Sequence, residues 1–357
     1  MNKLKVLQII DTLNVGGAEM LAVNISNALA NKGIESHICT TRKEGELKDK
    51  INNNVGYLFL GKRKTIDLKA IIKLSRYVKH NDIHILHAHS PSYFIAICVK
   101  LVRPKTKIVW HDHFGGSEFL TDKSRKTLQM VSFLFSSVIA VNSKLLEWSK
   151  RNLKAKNYNF LNNFAVFDND SPQTYLKGEE GKRIVHVAGF REQKDHITLL
   201  KAFSILLKVH PEWTLHLIGK VHEGVYSETI KNYILENNLS NSVFIYGVCT
   251  DIKHILKQST IGVLASKSEG LPISLLEYGL AQLPVLVTDV GECANVVTNS
   301  KAVTPSENSE KFARSLLEII ENKNIRNDIA LELSEAVIKG YSVNTVTNKL
   351  VEIYNKI

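Results

Sequence analysis

The chain alternates from end to end between short apolar runs and longer amphipathic ones, and this alternation restricts its fold more than any single residue does. Residues 5–10 read as a buried strand. A glycine loop (Asn14-Val15-Gly16-Gly17) follows, then an amphipathic run with Leu21, Val23, Ile25, Ala28 and Leu29 inward and Gly33 as its stop. Strands are then predicted over 36–40, 56–60, 83–87, 107–110 and 137–141, with helices over 67–79, 91–102, 124–135 and 143–151. After a polar stretch at 168–182 the same pattern restarts. Strands at 184–188, 213–219, 243–247, 261–265 and 284–288 alternate with helices at 196–208, 227–236, 251–258 and beyond the Gly270-Leu271-Pro272 break. Helices near 309–321, 324–339 and 343–356 close the chain. Apolar strands that each lead into a helix specify parallel sheets covered on both faces. A chain of 357 residues can build two such cores. The expected architecture is two doubly wound α/β domains, residues 1–167 and 183–340, joined by a linker over 168–182 and followed by a terminal segment, 341–357.

Composition narrows the class. No run of 18 apolar residues is present, so no membrane-spanning helix is expected, and the opening residues lack the pattern of a signal peptide. The 4 cysteines are far apart and make no metal-type spacing, which predicts free thiols in a cytoplasmic protein. Charge is unevenly placed. Residues 1–165 carry 26 Lys+Arg against 12 Asp+Glu, a net of +14; the remainder carries 20 against 23, and the two sum to +11. A basic half attracts anionic lipid surfaces, phosphates or nucleic acid, or serves only solubility. The aromatics are not interleaved with the basic runs and no RNA-binding signature occurs, so nucleic acid is not an expected partner. The predicted helix at 67–79 has an apolar stripe (Leu68, Ile71, Ile72, Leu74, Val78) opposite Lys69, Lys73, Arg76 and Lys79. The stripe should pack on the sheet, leaving a basic face that can lie on a membrane.

Candidate chemistry falls at the strand ends. Gly16-Gly17 open a helix whose N-terminus favours a phosphate, although G-x-G-x-x-G is absent. His87 and His89 share one side of a strand, and His111 and His113 end the next. The histidine spacing lacks the carboxylate and helical His pair of a zinc hydrolase, so no metal is expected. Gly115-Gly116-Ser117 reads as a flap or a turn. Arg191 and Lys194 lie in the loop before a helix, two cations close together at a strand end. Glu269 and Glu277 bracket Gly270-Leu271-Pro272-Ile273. The loop amides face a helix start, and Glu277 is expected about two turns into that helix, on the same crevice as Glu269.

The run Ser268-Glu269-Gly270-Leu271-Pro272 through Leu276-Glu277, with Gly279, Leu283-Pro284-Val285 and Thr288-Asp289-Val290-Gly291, resembles the donor-binding signature of family 4 retaining glycosyltransferases of the GT-B fold. The resemblance extends to Gly16-Gly17-Ala18-Glu19 and to Phe190-Arg191-Glu192-Gln193-Lys194-Asp195, in which the Arg stands one residue later than in the commoner form. It implies two Rossmann-like domains facing across a cleft, with the last helix crossing back to the N-terminal domain. It also implies metal-independent transfer of a sugar from a nucleotide sugar, with no cofactor. Carried over residue by residue, Arg191 and Lys194 hold the diphosphate together with Gly270 through Ile273 and, from the other domain, Gly16 and Gly17. Glu277 holds the ribose, Val248 borders the base, and Glu269 and His111 (His113 in reserve) contact the sugar. UDP-sugar is the favoured donor. The favoured acceptor is a lipid-linked oligosaccharide at an anionic inner membrane face, in capsule or O-antigen assembly. A sugar-nucleotide epimerase on this scaffold would lack the Arg–Lys loop joined to the paired glutamates, a phosphorylase would be far longer, and a non-catalytic nucleotide- or nucleic-acid-binding module remains the rival from another class.

Overall fold

The computed structural model describes residues 4–114, 120–121, 125–167 and 171–357. The Gly115-Gly116-Ser117 segment lies outside them. The chain divides into two compact units, one formed by residues up to Asn163 together with Val343–Ile357, the other by Phe164–Ser342.

The first unit is built on seven strands: β1 (Lys5–Thr12), β2 (Glu35–Lys43), β3 (Gly56–Phe59), β4 (Ile85–His89), β5 (Lys107–Asp112), β6 (Ser137–Ala140) and β7 (Tyr158–Phe160). Their order is β3-β2-β1-β4-β5-β6-β7, and every pairing is parallel. The connecting helices are α1 (Gly17–Asn31), α2 (Leu68–His80), α3 (Tyr93–Val102), α4 (Lys126–Val131) and α5 (Ser143–Asn152). β4 and β5 run two residues further than periodicity suggests, so His89 and His111 sit opposite each other as a paired register position. The helix expected over 91–102 starts at Tyr93. Ser90 takes a left-handed φ of 50° and Pro91 follows it, so the first residues form a 3-10 turn. The helix expected over 124–135 is short and breaks into a second 3-10 turn at Ser132–Leu134. β7 has three residues and gave no periodic signal.

The second unit repeats the plan with β8 (Arg183–Val187), β9 (Thr214–Ile218), β10 (Val243–Gly247), β11 (Ile261–Leu264), β12 (Val285–Thr288) and β13 (Val303–Thr304). The order is β10-β9-β8-β11-β12-β13, again all parallel. Around the sheet lie α6 (His196–Leu207), α7 (Val225–Glu236), α8 (Ile252–Lys257), α9 (Ile273–Leu280), α10 (Cys293–Val296), α11 (Ser309–Glu321) and α12 (Lys323–Gly340). The last helix, α13 (Val343–Asn355), belongs to the first unit, where Tyr354 is buried against β1 and β4.

The chain passes between the units at Asn163, a few residues before the predicted domain end. Ala165 is in the core of the second unit and Phe167 packs against it. Much of the polar stretch is docked there too. The amides of Gln173 and Thr174 donate to Asp251 at 2.8 and 2.7 Å, and that of Leu176 to Gln258 at 3.0 Å. Serine, proline and glycine content marks a loop but does not reveal that its amides will find side-chain acceptors.

Candidate active site

In the second unit the strand order reverses between β8 and β11. At such a reversal the two loops diverge to opposite faces of the sheet and leave a crevice outside the strand ends, the usual ligand position in open α/β sheets. The loops concerned are 188–195 and 265–272, and they are tied together. The Lys267 amide donates to the Gln193 carbonyl at 2.8 Å. Lys194 Nζ donates to both Glu269 oxygens, at 2.6 and 2.7 Å, and the Ser266 hydroxyl donates to Oε1 at 2.6 Å. Glu269 is 3% exposed. A carboxylate this buried needs a paired cation and hydrogen bonds to offset its desolvation, and it has both. Ser266, which the motif did not mark, is held in turn by the Thr288 hydroxyl, which donates to its carbonyl at 2.6 Å.

Gly291 fixes the other side of the loop. Its φ is +56°, and a Cβ there would overlap the carbonyl oxygens of Glu269 and Gly270. The Glu292 amide donates to the Gly270 carbonyl at 2.9 Å, and the Glu292 side chain accepts from Asn295 at 2.6 Å. Pro272 is the N-cap of α9, and among the described residues no side chain caps that end, so the amides of its first turn keep the polarity that suits an anion. Leu271 is buried and Ile273 half-buried. Glu277 is the fifth residue of α9 and half-buried, which places it just over one turn into the helix instead of two. The helix begins at Ile273, directly after the Gly270-Leu271-Pro272 break, as the sequence indicates. Beneath α9, Tyr278 is fully buried. Its hydroxyl accepts from the Val187 amide at 2.8 Å, which pins the helix under β8.

Arg191 is exposed, and its side chain makes no hydrogen bond or ion pair among the described residues. The neighbouring Phe190 amide donates to the Lys220 carbonyl at 2.9 Å. His222 senses the resulting field: burial first, then Arg191 and Lys220, lower its pKa. Lys220 and His222 are neighbours that the sequence reading missed, because they leave a different strand. Val248 is 39% exposed and follows β10 directly.

In the first unit Gly16 is the N-cap of α1 in an extended conformation (φ −170°), and space is open where a Gly17 side chain would begin. Neither glycine is required by backbone conformation. Glu19 lies in the first turn and accepts from Thr12 at 3.4 Å.

The four histidines converge. His87 and His89 stack at 4.6 Å with their planes 7° apart, and His111 and His113 lie 4.0 Å apart. His87, His89 and His111 are fully buried. Burial pushes the pKa of His87 down to about 3 and those of His89 and His111 well below the usual range, with the neighbouring rings adding to the effect. Neutral imidazoles are competent ligands, and the ring nitrogens of this trio come within 4.8 Å of one another. Their hydrogen bonds, however, are made within the protein. His87 bonds Tyr354 and His111, and His89 bonds His113 and Gln8. A metal would have to displace the 3.1 Å contact between His87 and His111. Only His111 Nε2 among the trio's nitrogens is buried without a partner among the described residues.

Two parallel-sheet, doubly wound units, the second with a cation–carboxylate pair and a helix N-terminus at its reversal point, make up the scaffold. Comparison with known proteins agrees. Residues 167–332 match the model described as glycosyl transferases group 1, and residues 15–158 match that of glycosyltransferase family 4. The capsular polysaccharide biosynthesis glycosyltransferase CapH of Staphylococcus aureus is 23% identical over 98% of both chains. The UDP-Gal:alpha-D-GlcNAc-diphosphoundecaprenol alpha-1,3-galactosyltransferase of Escherichia coli is 23% identical over 45% of this chain and 42% of its own. The structure of Anabaena HepE in complex with UDP and glucose superposes with a TM-score of 0.81 at 16% identity, covering 99% of this chain and 100% of that one. The chain belongs to the GT-B family 4 glycosyltransferases, of the type that serves bacterial polysaccharide assembly.

Proposed function

We propose that the protein transfers a hexose from a UDP-sugar, with retention of configuration, to a lipid-linked oligosaccharide at the cytoplasmic face of a membrane. The observation that carries this reading is the buried Lys194–Glu269 pair set between the ends of β8 and β11, beside the uncapped start of α9. On this reading Arg191 and Lys194 take the diphosphate with the amides of Gly270 through Ile273, and Glu277 takes the ribose. Val248 borders the base, Glu269 accepts from a sugar hydroxyl, His111 is assigned to the sugar, and Gly16 and Gly17, at a helix start, to the diphosphate. As the bond between the anomeric carbon and the diphosphate breaks, negative charge gathers on the leaving oxygen. Fixed cations and amides lower that barrier without reorganisation. The acceptor hydroxyl then bonds to the same face of the anomeric carbon, and its proton passes to the departing phosphate. No metal is assigned a part.

Support for the acceptor comes from the first unit. α2 buries Ala70, Leu74, Ser75 and Val78. Leu68 and Ile72, expected in the core, are 71% and 50% exposed beside Lys69, Lys73 and Arg76, and Ile66 is 63% exposed. An apolar ridge flanked by cations suits an anionic interface. The relative that acts on a diphosphoundecaprenol-linked sugar points the same way.

The test is transfer of label from a panel of UDP- and GDP-sugars to bacterial lipid extract, with and without EDTA. Label moving from one UDP-sugar into the lipid phase, undiminished by EDTA and with the product anomer matching the donor, supports the reading. Inversion, or full loss on chelation restored by a metal, rejects the corresponding part of it.

A further inference from the structure

The hydrogen bonds around the histidine cluster can be followed atom by atom, and with the Gln8 amide placed as it is they leave His111 in one protonation pattern. Gln8, on β1, is fully buried. Its Oε1 lies 2.8 Å from His89 Nε2, so that nitrogen carries a hydrogen and donates. Its Nε2 donates to the Tyr354 hydroxyl at 3.2 Å. The hydroxyl, already accepting there, has one acceptor for its own hydrogen, His87 Nδ1 at 2.5 Å. A neutral His87 with a bare Nδ1 must be protonated at Nε2, which donates to His111 Nδ1 at 3.1 Å. His111 is neutral and accepts at Nδ1, so its proton is on Nε2, the atom that is buried without a partner among the described residues. The other arm ends in the same way: His89 Nδ1 is bare, and His113 Nε2 donates to it at 2.8 Å. Turning the Gln8 amide over would reverse the whole chain and leave His111 Nε2 bare, so the amide placement seen here selects the pattern.

We infer that Gln8, Tyr354 and His87 are positioning residues that set His111 as its Nε2–H tautomer, so that it offers a sugar oxygen a hydrogen-bond donor and not a proton acceptor. A buried unmatched N–H carries a desolvation cost that only an incoming acceptor relieves, so the site is built for an oxygen lone pair. The C-terminal helix thereby becomes part of the catalytic apparatus through a single hydroxyl, that of Tyr354. The consequence for turnover rests on the sugar-binding role proposed for His111; the tautomer does not.

The experiment is nitrogen NMR on protein labelled at its 13 histidines, with the His111 signals identified by their loss in His111→Gln. In the wild type, Nε2 of His111 is expected to give the protonated-type shift and Nδ1 the bare-type shift at pH 7. In Tyr354→Phe, which keeps the ring and loses the hydroxyl, His87 Nδ1 has no donor. Both rings should then show averaged shifts, and kcat/KM should fall roughly tenfold while the fold is retained. Gln8→Glu accepts at both ends and should reverse the His87–His111 arm. A wild-type His111 protonated on Nδ1, or on both nitrogens, overturns the inference even if neither variant folds. Correct tautomers with an unaltered rate in Tyr354→Phe would overturn the functional part alone and leave the glycosyltransferase reading standing.

Discussion

Lys194 and Glu269 constrain each other tightly. Their side chains are 17% and 4% exposed, and their atoms are 2.6 Å apart. Removing one partner of a buried pair leaves the other charge uncompensated, which costs about 3 kcal/mol, whereas removing both costs less than the sum. Lys194→Ala is therefore expected to lower the stability of the second unit by about 3 kcal/mol, and Lys194→Ala/Glu269→Ala to recover part of it. Urea unfolding of the full cycle checks this, and strict additivity would show that the pair is not coupled. Both residues were legible in the sequence, because a cation before one helix and a glutamate before another recur at fixed offsets from glycine and proline. Their mutual contact was not legible, and neither were Ser266 or the Gln8–Tyr354 bond, which joins residues 346 positions apart. Spacing reports neighbours along the chain, whereas contacts across a sheet depend on strand order.

Gly291 shows what an element needs in order to hold a site. The turn after β12 presses against the backbone of the Glu269–Gly270 loop, and only a residue without a side chain fits. Gly291→Ala combines a left-handed φ with a backbone overlap, and each contributes of order 1–3 kcal/mol. The expected result is a lowered melting temperature together with weaker nucleotide binding. Unchanged nucleotide affinity in a folded variant would show that the loop shape is not set from this side. The sequence made the G-L-P loop and the start of α9 visible, but it set Glu277 most of a turn too deep in the helix. In α2 the period was read correctly and its burial was not: the stripe is wider than the sheet can cover, and Leu68 and Ile72 stay outside. Co-sedimentation with anionic vesicles should accordingly fall in Lys69→Glu/Arg76→Glu and with rising salt, because exposed charges are screened. Equal binding to neutral vesicles would contradict a role for that face.

At the scale of the molecule, both units bury histidines in the neutral form. The pKa of His87 is lowered to about 3 and that of His186 to about 4, in each case chiefly by burial. With the folded pKa below the unfolded value of 6.5, the two states bind protons equally above that pH. Between the two values the unfolded chain binds more, so stability falls as pH falls, by about 1.4 kcal/mol per unit for each such histidine. The urea midpoint should therefore be flat from pH 8 to 7 and drop steeply from pH 6.5 to 5, before most carboxylates titrate. A flat profile through pH 5 would mean that the cluster is already protonated when folded. Strand–helix alternation made the two doubly wound sheets legible from sequence. It could not show β7 or β13, which are three and two residues long and too short to carry a period.

A nucleotide sugar is expected in the second unit at the β8–β11 reversal. Calorimetric titration of the full chain with UDP, in wild type, Arg191→Ala and Glu277→Ala, tests it most directly. The prediction is one site per chain with affinity reduced at least tenfold in each variant, the loss of a charge-assisted hydrogen bond being about 1.5–3 kcal/mol. UDP binding of equal strength in all three proteins would place the nucleotide elsewhere and contradict the assignment.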